Sequence, residues 1–254
     1  MPNPLSAEEK AYRQEKLYTF PYHYLPHADE GVWRLARSLD WGYEYLGLLQ
    51  VITNLVLKDK PQSVLDFGCG DGRLLHELGC AGINHLVGVD ISRRALLFAE
   101  ALSTQAGCQL YNRVSELPER SFDTIVAMEV LEHLPPEERG EILFSLARSL
   151  KPGGRFIISV PTTNLPLNPK HFLHFDEDTL KDVLKDTFSV EDCSYVHRIG
   201  WRAATIRRLC VNRFFLLTFQ PLLHYLTRQY QRYVMLASKE DGAHLVAICK
   251  PRVS

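Results

Sequence analysis

From residue 63 to residue 185 short apolar runs alternate with stretches of helical periodicity, and this alternation restricts the fold more than any other property of the chain. Runs at 63–67, 85–90, 109–114, 124–130 and 155–160 read as strands, and 72–78, 93–104, 136–150 and 177–185 read as helices. Strand and helix in turn require crossover connections, which give a mostly parallel sheet with helices on both faces. Beyond residue 185 the alternation lapses. Residues 188–196 and 244–250 are strand-like with no crossover helix between them, and the apolar spacing of 41–57 predicts an amphipathic helix ahead of the core. The expected fold class is therefore α/β: a doubly wound, mostly parallel seven-stranded sheet whose last strand is antiparallel, with a helical N-terminal extension and a helical insert between the last two strands. The chain divides accordingly into an N-terminal arm and helix (1–60), a core (61–200), an insert (201–238) and a final core strand with tail (239–254).

A length of 254 residues suits one α/β domain with additions. The formal charge of −1 gives no global attraction to nucleic acid, so any basic surface has to be local. The cysteines at 69, 80, 108, 193, 210 and 249 are scattered, with no CxxC pair, which predicts reduced thiols in a cytoplasmic setting. The first ten residues lack the apolar core of a secretory signal, and no apolar run is long enough to span a bilayer. Residues 1–30, rich in Tyr, Pro and His most of all over 18–26, predict an extended aromatic arm rather than a regular element.

The first predicted strand runs into Asp66-Phe67-Gly68-Cys69-Gly70-Asp71-Gly72. Three glycines in five positions allow a tight turn and a close backbone approach to a nucleoside, and the free N–H groups of the helix that follows can face an anionic group. Asp90, 20 residues beyond Gly70 at the end of the next strand, sits where a carboxylate accepts from both ribose hydroxyls. The G-x-x-G spacing that closes a dinucleotide fingerprint is missing, since residue 73 is Arg. Asp66 beside the loop would repel a pyrophosphate and attract a cation.

These residues resemble the class I S-adenosylmethionine-dependent methyltransferases, over about 61–196 plus the final strand. The resemblance rests on 64–72, on Val87-Gly88-Val89-Asp90-Ile91-Ser92, on Ser121-Phe122-Asp123, on Glu129-Val130-Leu131-Glu132-His133-Leu134 and on Lys151-Pro152-Gly153-Gly154, read as a helix stop and turn. It implies S-adenosylmethionine as cofactor and a cofactor-binding set of Asp66, Gly68, Cys69, Gly70, Arg73, Asp90, Ile91, Asn112, Met128 and Glu129. Asp66 and the glycines would take the amino-acid end, Asp90 the ribose, Asn112 the adenine, and Met128 with Glu129 the pocket below. One departure is Asn112-Arg113, where many relatives carry an acidic residue for the adenine amine.

Ligands of open α/β sheets bind outside the carboxyl ends of the strands, which brings His133 and the 161–175 loop forward. His133 and His171 are the expected catalytic residues, taking the proton of an acceptor hydroxyl. Glu129, Glu132, His133 and His174 have donor types that suit Mg²⁺ or a transition ion, and the arrangement resembles the metal site of Hen1-type RNA 2′-O-methyltransferases and ubiquinone-pathway O-methyltransferases. The same Glu-x-x-Glu-His pattern also occurs across the superfamily without a metal. The insert carries Arg202, Arg207, Arg208, Arg213, Arg228 and Arg232 and no acidic residue, and reads as a substrate cover, a dimer surface or a peripheral membrane face. The expected activity is O-methylation of a small molecule, sugar or lipid-linked intermediate by a monomer or homodimer, with nucleic acid not expected as a partner. The rivals are a Hen1-like, metal-dependent RNA enzyme and a non-catalytic S-adenosylmethionine-binding protein.

Overall fold

The computed structural model describes residues 6, 8–10, 27–29, 32–34, 42–103, 107–211, 215 and 217–252. The aromatic stretch 18–26 and Arg213 lie outside them. β1 (His27–Asp29) and β2 (Val32–Arg34) form a small antiparallel ribbon. The main body follows as α1 (Gly42–Lys58), β3 (Ser63–Phe67), α2 (Arg73–Cys80), β4 (His85–Val89), α3 (Arg93–Ser103), β5 (Gln109–Tyr111) and β6 (Phe122–Met128). After it come α4 (Pro136–Ser149), β7 (Leu150–Pro161), α5 (Glu177–Leu184), β8 (Phe188–Arg198), α6 (Trp201–Cys210), α7 (Gln220–Tyr233), β9 (Leu236–Ala237) and β10 (Gly242–Pro251).

The strands form one eight-stranded sheet in the order β5-β4-β3-β6-β7-β10-β8-β9. Strands β3 to β7 are parallel, and β10 is antiparallel to both of its neighbours. Every residue of β3 is buried, as a central parallel strand covered on both faces requires. Successive side chains point to opposite faces. Leu65, Ile125 and Ile158 therefore enter one core with Leu143 and Leu146 of α4 and Leu180 and Leu184 of α5. Val64, Val126 and Ile157 enter a second core with Leu48, Ile52 and Val56 of α1 and Leu74, Leu75 and Leu78 of α2.

The β1–β2 ribbon departs from the sequence reading, since His27–Asp29 lies in the stretch read as an arm without regular elements. The structure departs from that reading elsewhere too. β5 stops at Tyr111 rather than 114, because residues 114–116 close a 3-10 turn. The sheet has eight strands rather than seven, β9 pairing antiparallel with β8 as the chain leaves α7. The 151–154 stretch does follow a helix stop, but it bulges out of a continuing ladder, in which Phe122 pairs with Leu150 and Thr124 with Arg155. Gly153 takes a φ of 80° there.

The insert packs inward. Ile206, Leu226, Tyr230 and Val234 form a small third core with Tyr43 of α1. Gly47, one turn further along α1, leaves room for the Tyr230 ring, since a Cβ there would stand 2.5 Å from the phenolic oxygen.

Candidate cofactor and acceptor site

The carboxyl ends of β3 and β4 meet in one hydrogen-bonded crossing. The N–H groups of Gly68 and Cys69 donate to the Val89 carbonyl at 2.7 and 3.0 Å, and the Gly70 N–H donates to Asp90 Oδ2 at 2.9 Å. Gly68, Gly70 and Gly72 have φ values of 76°, 53° and 78°, left-handed conformations that cost a side chain about 1 kcal/mol or more. Two of them are also closely covered: a Cβ on Gly68 would meet Val130 Cγ2 at 2.4 Å, and one on Gly72 would meet the Ala99 backbone at 2.9 Å. The loop is thus set by backbone geometry before any ligand arrives.

Asp90 also accepts from the Ser92 N–H at 2.8 Å. An ionised carboxylate has about four lone-pair sites, so hydroxyl donors can still be accepted. Asn112 donates through Nδ2 to the carbonyls of Asp90 and Ile91, at 2.9 and 3.0 Å, which turns its side-chain nitrogen to the strand ends and leaves the oxygen for a ligand. Ile91 is 88% exposed beside it and offers an apolar surface for a base. Asp66 is buried at the foot of the loop; burial, with the nearby Asp90 and Asp71 carboxylates, pushes its carboxyl up to about 8. Burial and the same three acids raise the Cys69 thiol well above its usual range, so it sits there as a packed, unreactive group. The Arg73 side chain pairs with Glu77 along α2, leaving only its backbone at the loop. Met128 ends β6, and Glu129 follows at a φ of 57°.

The structure brings the three histidines His133, His171 and His174 together. His133 and His171 stand edge to face with ring centroids 4.7 Å apart, and His171 Nδ1 lies 2.9 Å from His174 Nε2. His174 Nδ1 lies 3.1 Å from the Leu165 carbonyl, which can only accept. In the neutral pair, His174 donates to Leu165 and accepts from His171 Nδ1, and His171 Nε2 keeps its lone pair. Burial and the neighbouring His133 hold His171 down to about 3, and burial lowers His133 as well. Both rings are therefore neutral at pH 7, the state a base or a metal ligand needs.

Glu132 is buried, with its Oε2 lacking a hydrogen-bond partner and its carboxyl raised by burial and by Glu129. Donor atoms of Glu132, His133 and His171 lie within 4.8 Å of one another. Of the four metal arms read from the sequence, Glu132 and His133 are in this group. Glu129 is committed elsewhere, and His174 stands behind His171 as its hydrogen-bond partner.

Glu129 leads to a part of the site that sequence reading missed. Its Oε1 accepts from Ser159 Oγ at 3.0 Å, and its Oε2 lies 2.9 Å from His244 Nδ1. His244 Nε2 lies 2.6 Å from Glu44 Oε1 on α1, and Glu44 Oε2 lies 3.7 Å from His197 Nε2. His197 Nδ1 is 3.1 Å from the Tyr230 hydroxyl on α7. The two carboxylates outweigh burial and push the His244 imidazole up to about 10. The available signal was a lone histidine in the apolar run of β10, which by itself specifies no partner.

The description "Methyltransferase domain" belongs to the family model that matches residues 41–210, two thirds of the chain. The chain belongs to this methyltransferase domain family. Among curated relatives of the methyltransferase, the ubiquinone biosynthesis O-methyltransferase of Hahella chejuensis is 35% identical over 116 residues, covering 43% of this chain and 46% of that protein. The protein of the same name from Ralstonia nicotianae is 37% identical over 102 residues, covering 38% and 42%. The chain thus spans about half the length of the curated relatives it matches. Among solved structures, a SAM-dependent methyltransferase from Archaeoglobus fulgidus superposes with a TM-score of 0.56 at 18% identity, covering 83% of this chain and 97% of that one, a likeness of fold.

Proposed function

We propose that this methyltransferase moves a methyl group from S-adenosylmethionine to a hydroxyl of a small molecule. The observation that carries the reading is the joined crossing of the β3 loop with Asp90, placed beside a buried carboxyl whose ionised form a cationic group would favour. The named O-methyltransferase relatives support the choice of a hydroxyl acceptor. Asp66 and the loop backbone take the ammonium-bearing end of the cofactor, Asp90 the ribose hydroxyls, and Ile91 and Asn112 the base; Met128 and Glu129 border the pocket beneath it. When bound, the cofactor supplies an electrophilic methyl on a sulfonium.

The chain's own contribution is to hold the acceptor oxygen in line and to take its proton. His171 serves as that base: it is neutral, and its free lone pair is fixed on Nε2 by the hydrogen bonds through His174 to Leu165. His133, against its face, borders the acceptor. The insert of 201–238 serves as an added cover that selects the acceptor.

A divalent ion fits the same place. Glu132, His133 and His171 offer a mixed oxygen and nitrogen donor set, and the orphaned Glu132 Oε2 is a buried polar atom that a cation would satisfy. Bound there, an ion would occupy the His171 Nε2 lone pair and, in place of that base, would acidify and orient the acceptor hydroxyl. That donor set suits a transition ion better than Mg²⁺, which prefers oxygen. No helix among the described residues is long and apolar enough to cross a membrane. The scattered spacing of the six cysteines in the sequence fits a reducing, cytoplasmic setting.

Titration calorimetry with S-adenosylhomocysteine tests the cofactor reading: saturable binding is expected, weakened at least about tenfold in Asp90→Ala. Folded wild-type protein that gives no heat with either cofactor form would overturn it.

A further inference from the structure

We propose that His244 is a positioning residue for Glu129 in the cofactor pocket, and that Glu44 and the Tyr230–His197 pair hold it there from outside the pocket. His244 lies at the start of β10, opposite Pro161 and Val196, which places it at the carboxyl edge of the parallel strands. Its side chain is 9% exposed, with a carboxylate oxygen at hydrogen-bond distance from each ring nitrogen. Carboxylate oxygens only accept, so both nitrogens donate and the ring is a clamped imidazolium.

Glu129 is fixed by the same clamp. One oxygen takes His244, the other takes Ser159, and its backbone N–H donates to the Ser159 carbonyl and hydroxyl at 3.1 Å. A glutamate at a φ of 57° is costly and persists where its surroundings over-determine it. His197, itself at a φ of 60°, continues the series from Glu44 to Tyr230. Tyr230 is seated on α1, with its ring 5.4 Å from that of Tyr43. Groups contributed by α1, β8, β10 and α7 therefore converge on one carboxylate that borders the cofactor.

Removing the charge of Glu44 frees His244 on its outer side and lets Glu129 turn, so affinity falls through a residue with no place in the pocket. This consequence rests on the cofactor reading above; the clamp itself does not. The test is a double-mutant cycle in which wild type, Glu44→Gln, Glu129→Gln and the double variant are titrated with S-adenosylhomocysteine, with thermal melts confirming the fold. Glu44→Gln is expected to weaken binding about tenfold in the wild-type background and little in the Glu129→Gln background. Equal losses in both backgrounds, or no loss at all, would overturn the proposal. Nitrogen NMR of the His244 ring keeps the two readings apart. Both ring nitrogens protonated in wild type, with one proton lost in the double variant, support the clamp even if no cofactor binds. A neutral His244 ring in wild type refutes it.

Discussion

Asp66 is held in a conflict that a cationic ligand resolves. Its carboxyl stands at about 8 in the folded chain against a usual 3.8, because burial and two neighbouring acids oppose its charge. A raised carboxyl binds its proton more tightly folded than unfolded, so this group costs stability progressively as pH rises from 3.8 and in full above about 8. Asp66→Asn should therefore raise the Tm of the cofactor-free protein at neutral pH while weakening S-adenosylmethionine at least about tenfold. Melts and titrations on one preparation decide it, and a lowered Tm with unchanged affinity would contradict the electrostatic account. Binding to wild type near neutral pH should also release a proton, visible as a heat that depends on the buffer. Residues of this loop were legible in the sequence because they lie within seven positions of one another, and Asp90 follows at a spacing set by one crossover. His244 and Glu44 were not, being 200 positions apart on a strand and a helix whose patterns record burial but not the partner.

At the scale of elements, α2 and α3 approach each other so closely that their spacing is set by a glycine. Gly72 and Gly82 share the left-handed conformation, with φ values of 78° and 92°. Only Gly72 is covered, by the Cα, Cβ and carbonyl oxygen of Ala99, and a Cβ on Gly82 would meet open space. Alanine at either position pays the conformational cost of about 1 kcal/mol, and Gly72→Ala adds an overpacking cost of about 1–3 kcal/mol because backbone cannot yield as a side chain can. Denaturant melts of the two variants measure the difference directly; equal losses would mean that α3 moves aside without cost. Element type was read from periodicity along most of the core, since buried parallel strands and amphipathic helices leave different repeats. Boundaries were less legible where hydrogen bonding to distant chain decides them. β7 resumes its ladder past the 151–154 bulge because β6 lies alongside, and the two residues of β9 are too few to carry a repeat.

Across the whole molecule, the buried imidazolium joins α1 through Glu44, the last strand β10, and the end of β6 through Glu129, so its protonation is part of the stability of the fold. The insert was legible as helical and basic, but its seat on α1 was not, because the Gly47 contact with Tyr230 joins segments far apart in sequence. His244 stands near 10 in the folded chain against 6.5 when free. A raised histidine contributes stability that is fully present below 6.5 and is lost as pH climbs through about 10. His244→Gln removes that contribution, so wild type should exceed the variant most at and below 6.5, by a few kcal/mol or roughly 5–10 °C in Tm, and the gap should narrow steadily toward 10. Asp66 imposes its own decline on both proteins and cancels in the difference. A gap of constant size across this range would show that His244 acts by packing alone; a gap that closes as the ring loses its proton ties α1 and β10 together through charge.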